Sequence, residues 1–132
     1  METSSAPSFW KRQGPGVFWF LLTLTLICIP GERLPDAQFL FQINFDKAVH
    51  AGLFGGQVTL WAWAFRHQPD WASKLPRLVL ISIVWGFASE LIQLWFIHNR
   101  TFSWMDILAD ATGSLLAWPF TRWAFRRWNL AP

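Results

Sequence analysis

The run Leu78–Ile97, LVLISIVWGFASELIQLWFI, contains a single ionisable residue, Glu90. At about 1.5 Å per residue a helix over this run matches a hydrocarbon core ~30 Å thick. A chain of 132 residues is one domain by length. It is 53% hydrophobic and 14% charged, against about a quarter charged for a soluble domain. Both features point to a membrane protein, so further spans are expected wherever apolar runs recur.

They recur at about 17–30, 48–65 and 105–125. The expected fold is therefore all-α, a polytopic bundle of four transmembrane helices with the third span at 78–97. In this reading residues 1–16 are a flexible cytoplasmic N-terminus, 17–127 the transmembrane domain and 128–132 a C-terminal tail. The first apolar run, Val17–Ile29, follows Lys11 and Arg12 as a signal peptide would. No small-residue cleavage site follows it, since the run ends Ile29-Pro30-Gly31-Glu32. It reads as a retained helix, too short to cross unless it borrows residues at one end or the bilayer thins. Cys28, the one cysteine, has no intramolecular partner and says nothing of redox compartment.

Basic residues fix the orientation. Lys11, Arg12, Arg66, Lys74, Arg77, Arg122, Arg126 and Arg127 fall on one side of such a bundle, while Arg33, Lys47 and Arg100 fall on the other. The positive-inside rule then puts both termini and the second loop in the cytoplasm. The same placement, at the ends of apolar runs, explains the net charge of +3 without nucleic acid as a partner. Trp95 and Trp104 outside, with Trp61, Trp63, Trp118 and Trp123 inside, read as interfacial belts.

With that orientation the costly residues converge on the outer third of the bundle. Asp46, Lys47 and His50 open the second span. Glu90 and Gln93 lie about 10 and 6 Å below the outer end of the third, and Asp106 and Asp110 sit in the first turns of the fourth. Arg100 and Ser103 lie in the loop between. Each span carries these groups on one face: Asp46, His50, Phe54 and Gln57; Ser82, Gly86, Glu90 and Gln93; Asp106, Asp110, Gly113 and Ala117. Polar groups avoid lipid and small residues let helices approach, so the three faces should look at one another.

The chemistry of such a cluster can be read in several ways. Arg100 offers a planar fork of donors suited to phosphate or carboxylate, with interfacial snorkelling as its bland alternative. Glu90 and His50 are the candidates for acid–base catalysis; their structural alternatives are Glu90 neutral or paired with Lys47, His50 or Arg100, and His50 bonded to Asp46 or Glu90. Ser103 and Asp106 also fit the N-terminal cap of the fourth helix. Acidic residues with His50 are competent metal ligands, but their spacing matches no metal signature, and no cofactor is expected.

Asp46-Lys47-x-x-His50-x-x-x-Phe54, Glu90-x-x-Gln93, Arg100-x-Phe102-Ser103-x-x-Asp106 and Gly113 occur in that order between Asp46 and Leu116. On these motifs the chain resembles the VanZ-like family of small bacterial membrane proteins. The resemblance implies a multi-pass protein of the bacterial cytoplasmic membrane. The founding member is associated with resistance to the glycopeptide teicoplanin. The family usually has Asn where this chain has Asp110, so the carboxyl here either weakens the site or must be protonated. Residues and resemblance together suggest an outer-leaflet polar pocket of Asp46, Lys47, His50, Glu90, Gln93, Arg100, Ser103, Asp106 and Asp110. Its partners would be membrane lipids, with the head group of a cell-wall lipid intermediate or a lipoglycopeptide as ligand. A membrane-embedded enzyme acting on such a head group, and a structural or partner-binding protein, are the alternatives.

Overall fold

The computed structural model describes residues 9–29 and 45–132; the loop bearing Glu32, Arg33 and Asp36 lies outside the described residues. Among the described residues the chain is all-helical: α1 Phe9–Ile27, α2 Phe45–Trp63, α3 Leu75–Phe96 and α4 Trp104–Arg127, with a 3₁₀ turn Trp71–Lys74 leading into α3. Among the described residues one segment, Trp71–Phe96, is long and apolar enough to cross a membrane by length and composition. The other helices interrupt their apolar stretches with Lys11 and Arg12, with Asp46 and Lys47, or with Asp106 and Asp110.

The boundaries shift for physical reasons. The expected flexible stretch up to Gly16 is helical from Phe9 onward, through Pro15, so the short apolar run borrows its missing length at the N-terminal end. Helix α2 starts before Ala48 because Asp46 in its first turn suits the helix N-terminus. Helix α3 starts at Leu75 with proline in its first turn, where the missing N–H costs nothing. Asn99, at φ 57°, turns the chain toward α4; Asn tolerates this left-handed region better than most residues. Helix α4 begins at Ser103, whose hydroxyl accepts from the Asp106 N–H at 3.2 Å. It continues through Pro119 to Arg127.

The expected tail does not hang free. Leu130 N–H donates to the Phe125 carbonyl at 2.8 Å, and Leu130 packs on the cluster of Ala62, Trp71, Leu75, Ala124 and Phe125. This apolar core closes the end of the bundle opposite Glu90. In the loop beside it, Lys74 Nζ lies 2.8 Å from both Asp70 carboxylate oxygens and holds that carboxyl below its ordinary range.

Helix α2 is the centre of the bundle. It packs most extensively along α4 and also touches α1 and α3. A methyl group on Gly55 would lie 2.9 Å from the Gly113 carbonyl oxygen, and one on Gly113 would overlap the backbone of Ala51. Helices α2 and α4 thus meet backbone to backbone, as small residues permit.

The bundle buries polar side chains beside its apolar core and carries large apolar side chains on its exterior. Ser82, Ser89, Glu90 and Gln93 on α3 are buried, while Leu80, Ile81 and Val84 of the same helix are about 60% exposed. On α4, Asp110, Ser114 and Thr121 are fully buried and Leu115, Leu116 and Phe120 are exposed. The inward faces expected for α3 and α4 are the ones observed.

Candidate functional site

The N-termini of α2 and α4 and the C-terminus of α3 meet at one end of the bundle, which brings Asp46, Lys47, His50, Glu90, Ser103, Asp106 and Asp110 together. Lys47 Nζ lies 2.6 Å from Asp46 Oδ2 and forms a short ion pair with Asp106 Oδ1. One turn further in, His50 Nδ1 is 2.9 Å from Asp110 Oδ1 and its Nε2 is 3.9 Å from Asp106 Oδ2. Both links tie α2 to α4 across the glycine contact.

Glu90 belongs to the same cluster by a different route. Its Oε2 accepts the backbone N–H of Ser103 at 2.8 Å, so a carboxylate on α3 fixes the residue that caps α4. Glu90 and Asp110 are both wholly buried. Each keeps one oxygen, Glu90 Oε1 and Asp110 Oδ2, without a hydrogen-bond partner. Asp110 is pressed against α3, where a methyl on Gly86 would come within 2.9 Å of its Cβ.

Two expected members stand apart. Gln93 Nε2 donates to the Ile27 carbonyl at 3.1 Å and Arg100 Nε to the Ile29 carbonyl at 3.4 Å. Both satisfy carbonyl groups at the end of α1, which a helix C-terminus leaves unpaired, and hold that end against α3. Among the described residues Arg100 makes no ion pair with the cluster. The remaining charges are four carboxylates (Asp46, Glu90, Asp106, Asp110) against one ammonium and one imidazole. The site as folded is rich in acceptors and poor in donors. Lys47 and Asp46 at its rim are partly exposed, while Glu90 and Asp110 within it are wholly buried.

Below the cluster the polar seam continues where residue types alone gave little warning. Ser114 Oγ lies 2.8 Å from both Ser82 Oγ and the Asp110 carbonyl oxygen, and Thr59 Oγ1 lies 2.8 Å from Thr121 Oγ1. The signal for Ser114 was its place one turn beyond Asp110 on the inward face. Among the described residues, no group of three or more His, Cys, Asp or Glu is arranged to hold a metal ion. Comparison of the chain with protein-family models, curated proteins and solved structures finds no match.

Position 110 gives a direct test of the link between α2 and α4. Asp110→Asn retains an oxygen to meet His50 Nδ1 and puts an amide where Oδ2 has no partner. The Asn variant is expected to fold with a Tm within a few degrees of wild type. Asp110→Leu, which strands His50, should lower stability by about 2 kcal/mol or more. Thermal unfolding in detergent compares the two; a Leu variant as stable as the Asn variant would remove His50–Asp110 from the account.

Proposed function

We propose that this chain is a VanZ-like integral membrane protein of four spans, with both termini cytoplasmic. Its outer polar cluster recognises the donor-rich head group of an envelope glycolipid. The spans are supported by the large apolar side chains on the exterior and by the ionisable groups kept inside, an arrangement suited to hydrocarbon surroundings. The orientation is supported by the basic residues, most of which lie toward the Trp71–Phe125 end.

The observation that carries the ligand reading is the pair of unpartnered, wholly buried carboxylate oxygens, Glu90 Oε1 and Asp110 Oδ2. Sugar hydroxyls are donors that such acceptors lack. Arg100, at the rim, would take the phosphate of the same head group with its remaining guanidinium N–H groups. Entry requires the end of α1 to lift from Gln93 and Arg100, the two donors that hold it. A lipoglycopeptide of the teicoplanin type presents similar chemistry, sugars on an acyl chain, which links the reading to the resistance associated with the resembling family.

Lipid co-purification tests this. Wild type, Glu90→Gln and Arg100→Ala are purified at matched folded yield from a bacterial membrane, and the retained lipids are measured by mass spectrometry. Glu90→Gln should lose glycolipid about tenfold, the equivalent of one good hydrogen bond to a charged acceptor. Arg100→Ala should lose phosphate-bearing lipid. Equal lipid content in all three sinks the binding function and leaves the cluster a purely structural lock between α2, α3 and α4.

A further inference from the structure

A second group of unpartnered polar atoms lies below the acidic cluster, on the α1 side of the bundle. Among the described residues seven buried side-chain polar atoms have no hydrogen-bond partner. Four of them, Gln13 Oε1, Gln57 Oε1, Gln57 Nε2 and Trp85 Nε1, belong to residues lining one groove of about 430 Å³. The groove runs between α1 and α3 over a floor of α2, and Phe9, Trp61 and Phe65 line it as well. Phe20 of α1 meets Trp85 of α3 at 5.1 Å between ring centres, the rings tilted by 41°. Gln57 is 5% exposed. Leaving both ends of a buried amide unpaired is costly, and three residues of this one groove carry four such atoms.

The atoms also say what they lack. Two are donors, Gln57 Nε2 and Trp85 Nε1, and two are acceptors, Gln57 Oε1 and Gln13 Oε1. No charged residue lines the groove, so a phosphate or carboxylate would enter without a counter-charge. An ester carbonyl could accept from the donors but would leave both acceptors unserved. A hydroxyl both donates and accepts and so matches both kinds of atom left unpaired. The remaining wall is apolar and aromatic, fit for a hydrocarbon chain.

We propose that this groove is a second binding site, taking an uncharged lipid alcohol whose hydroxyl bonds Gln57 and Trp85 and whose chain lies along the aromatic wall. Its ligand differs from the one proposed for the acidic cluster, although Ser82 of its lining shares a hydrogen bond with Ser114 below Asp110.

The probe is 1,2-dioleoylglycerol, with its 3-acetyl ester as the hydroxyl-free control, titrated onto the full chain in detergent and read by native mass spectrometry. Wild type should bind one equivalent of the alcohol and take the ester about tenfold more weakly. Gln57→Leu should bind the alcohol about tenfold more weakly, while its ligand-free Tm equals or exceeds wild type because an unpaired amide has been removed. Trp85→Phe, which keeps a ring and loses the N–H, supplies the same loss of binding by a variant of different packing. No binding by wild type, equal binding of alcohol and ester, or unchanged binding in both variants would overturn the proposal and leave water as the partner of these atoms.

Discussion

Gly113→Ala is expected to destabilise the bundle more than any other single methyl group added to it. The new Cβ would overlap the Ala51 backbone, and backbone cannot step aside as the tip of a flexible side chain can. Helices α2 and α4 would have to separate along the most extensive contact in the molecule. Separation would lengthen the Lys47–Asp106 and His50–Asp110 links together. Overpacking of well-packed sites costs typically 1–3 kcal/mol, and this one should reach or exceed about 3. Gly52→Ala is the control. It lies in the same helix pair's α2, and nothing stands within 4 Å of its added Cβ. It should be neutral or stabilise by up to about 1 kcal/mol through helix propensity. Thermal or denaturant unfolding in detergent measures both. A Gly113→Ala protein as stable as Gly52→Ala would mean that the α2–α4 contact is wrongly placed.

The second large effect belongs to Glu90. Replacing it by alanine removes a wholly buried side chain and leaves the Ser103 N–H without its acceptor. The cavity and the stranded donor act together, for a loss of about 3–5 kcal/mol. Because Ser103 caps α4, the first turn of that helix should fray, and amide hydrogen exchange at Asp106 and Ile107 should accelerate. Glu90→Gln keeps an oxygen for Ser103 and should stay within about 1.5 kcal/mol of wild type. The pair of variants therefore separates scaffold from ligand: alanine disturbs both, whereas glutamine alters only the unpartnered oxygen. Equal stability of Ala and Gln variants would show that the Glu90–Ser103 bond carries no weight.

Much of this arrangement was legible in the sequence because helices repeat. The spacing Ser82, Gly86, Glu90, Gln93 puts one face inward wherever the helix sits, and the cost of turning Glu90 to an apolar exterior fixes which face. Ser103 was legible as a cap because a hydroxyl three residues before Asp106 can meet only a few backbone groups. Arg100 was not legible. A long side chain in a loop can reach several partners, and residue type favours an anion where the structure offers the carbonyl groups at the end of α1. Gln93 shared the inward face but not the partner, since periodicity names a face and not the neighbour opposite it. The start of α1 was hidden for another reason: Lys11, Arg12 and Pro15 read as a boundary, yet the helix runs from Phe9 through Pro15 at the loss of one backbone hydrogen bond. The groove around Gln57 depends on how far α1 stands from α3, which no spacing within one helix encodes.

The four-span reading is tested most directly by the sidedness of its two ends. In a Cys28→Ser background, single cysteines at Asn99, beside the acidic cluster, and at Ser73, beside the Trp71–Phe125 core, are exposed to a membrane-impermeant maleimide on intact cells and after permeabilisation. Asn99→Cys should label from outside in intact cells, and Ser73→Cys only once the membrane is opened. Labelling of Ser73→Cys in intact cells with Asn99→Cys protected, or labelling of both from the same side, would contradict an outward-facing polar cluster held between membrane-spanning helices.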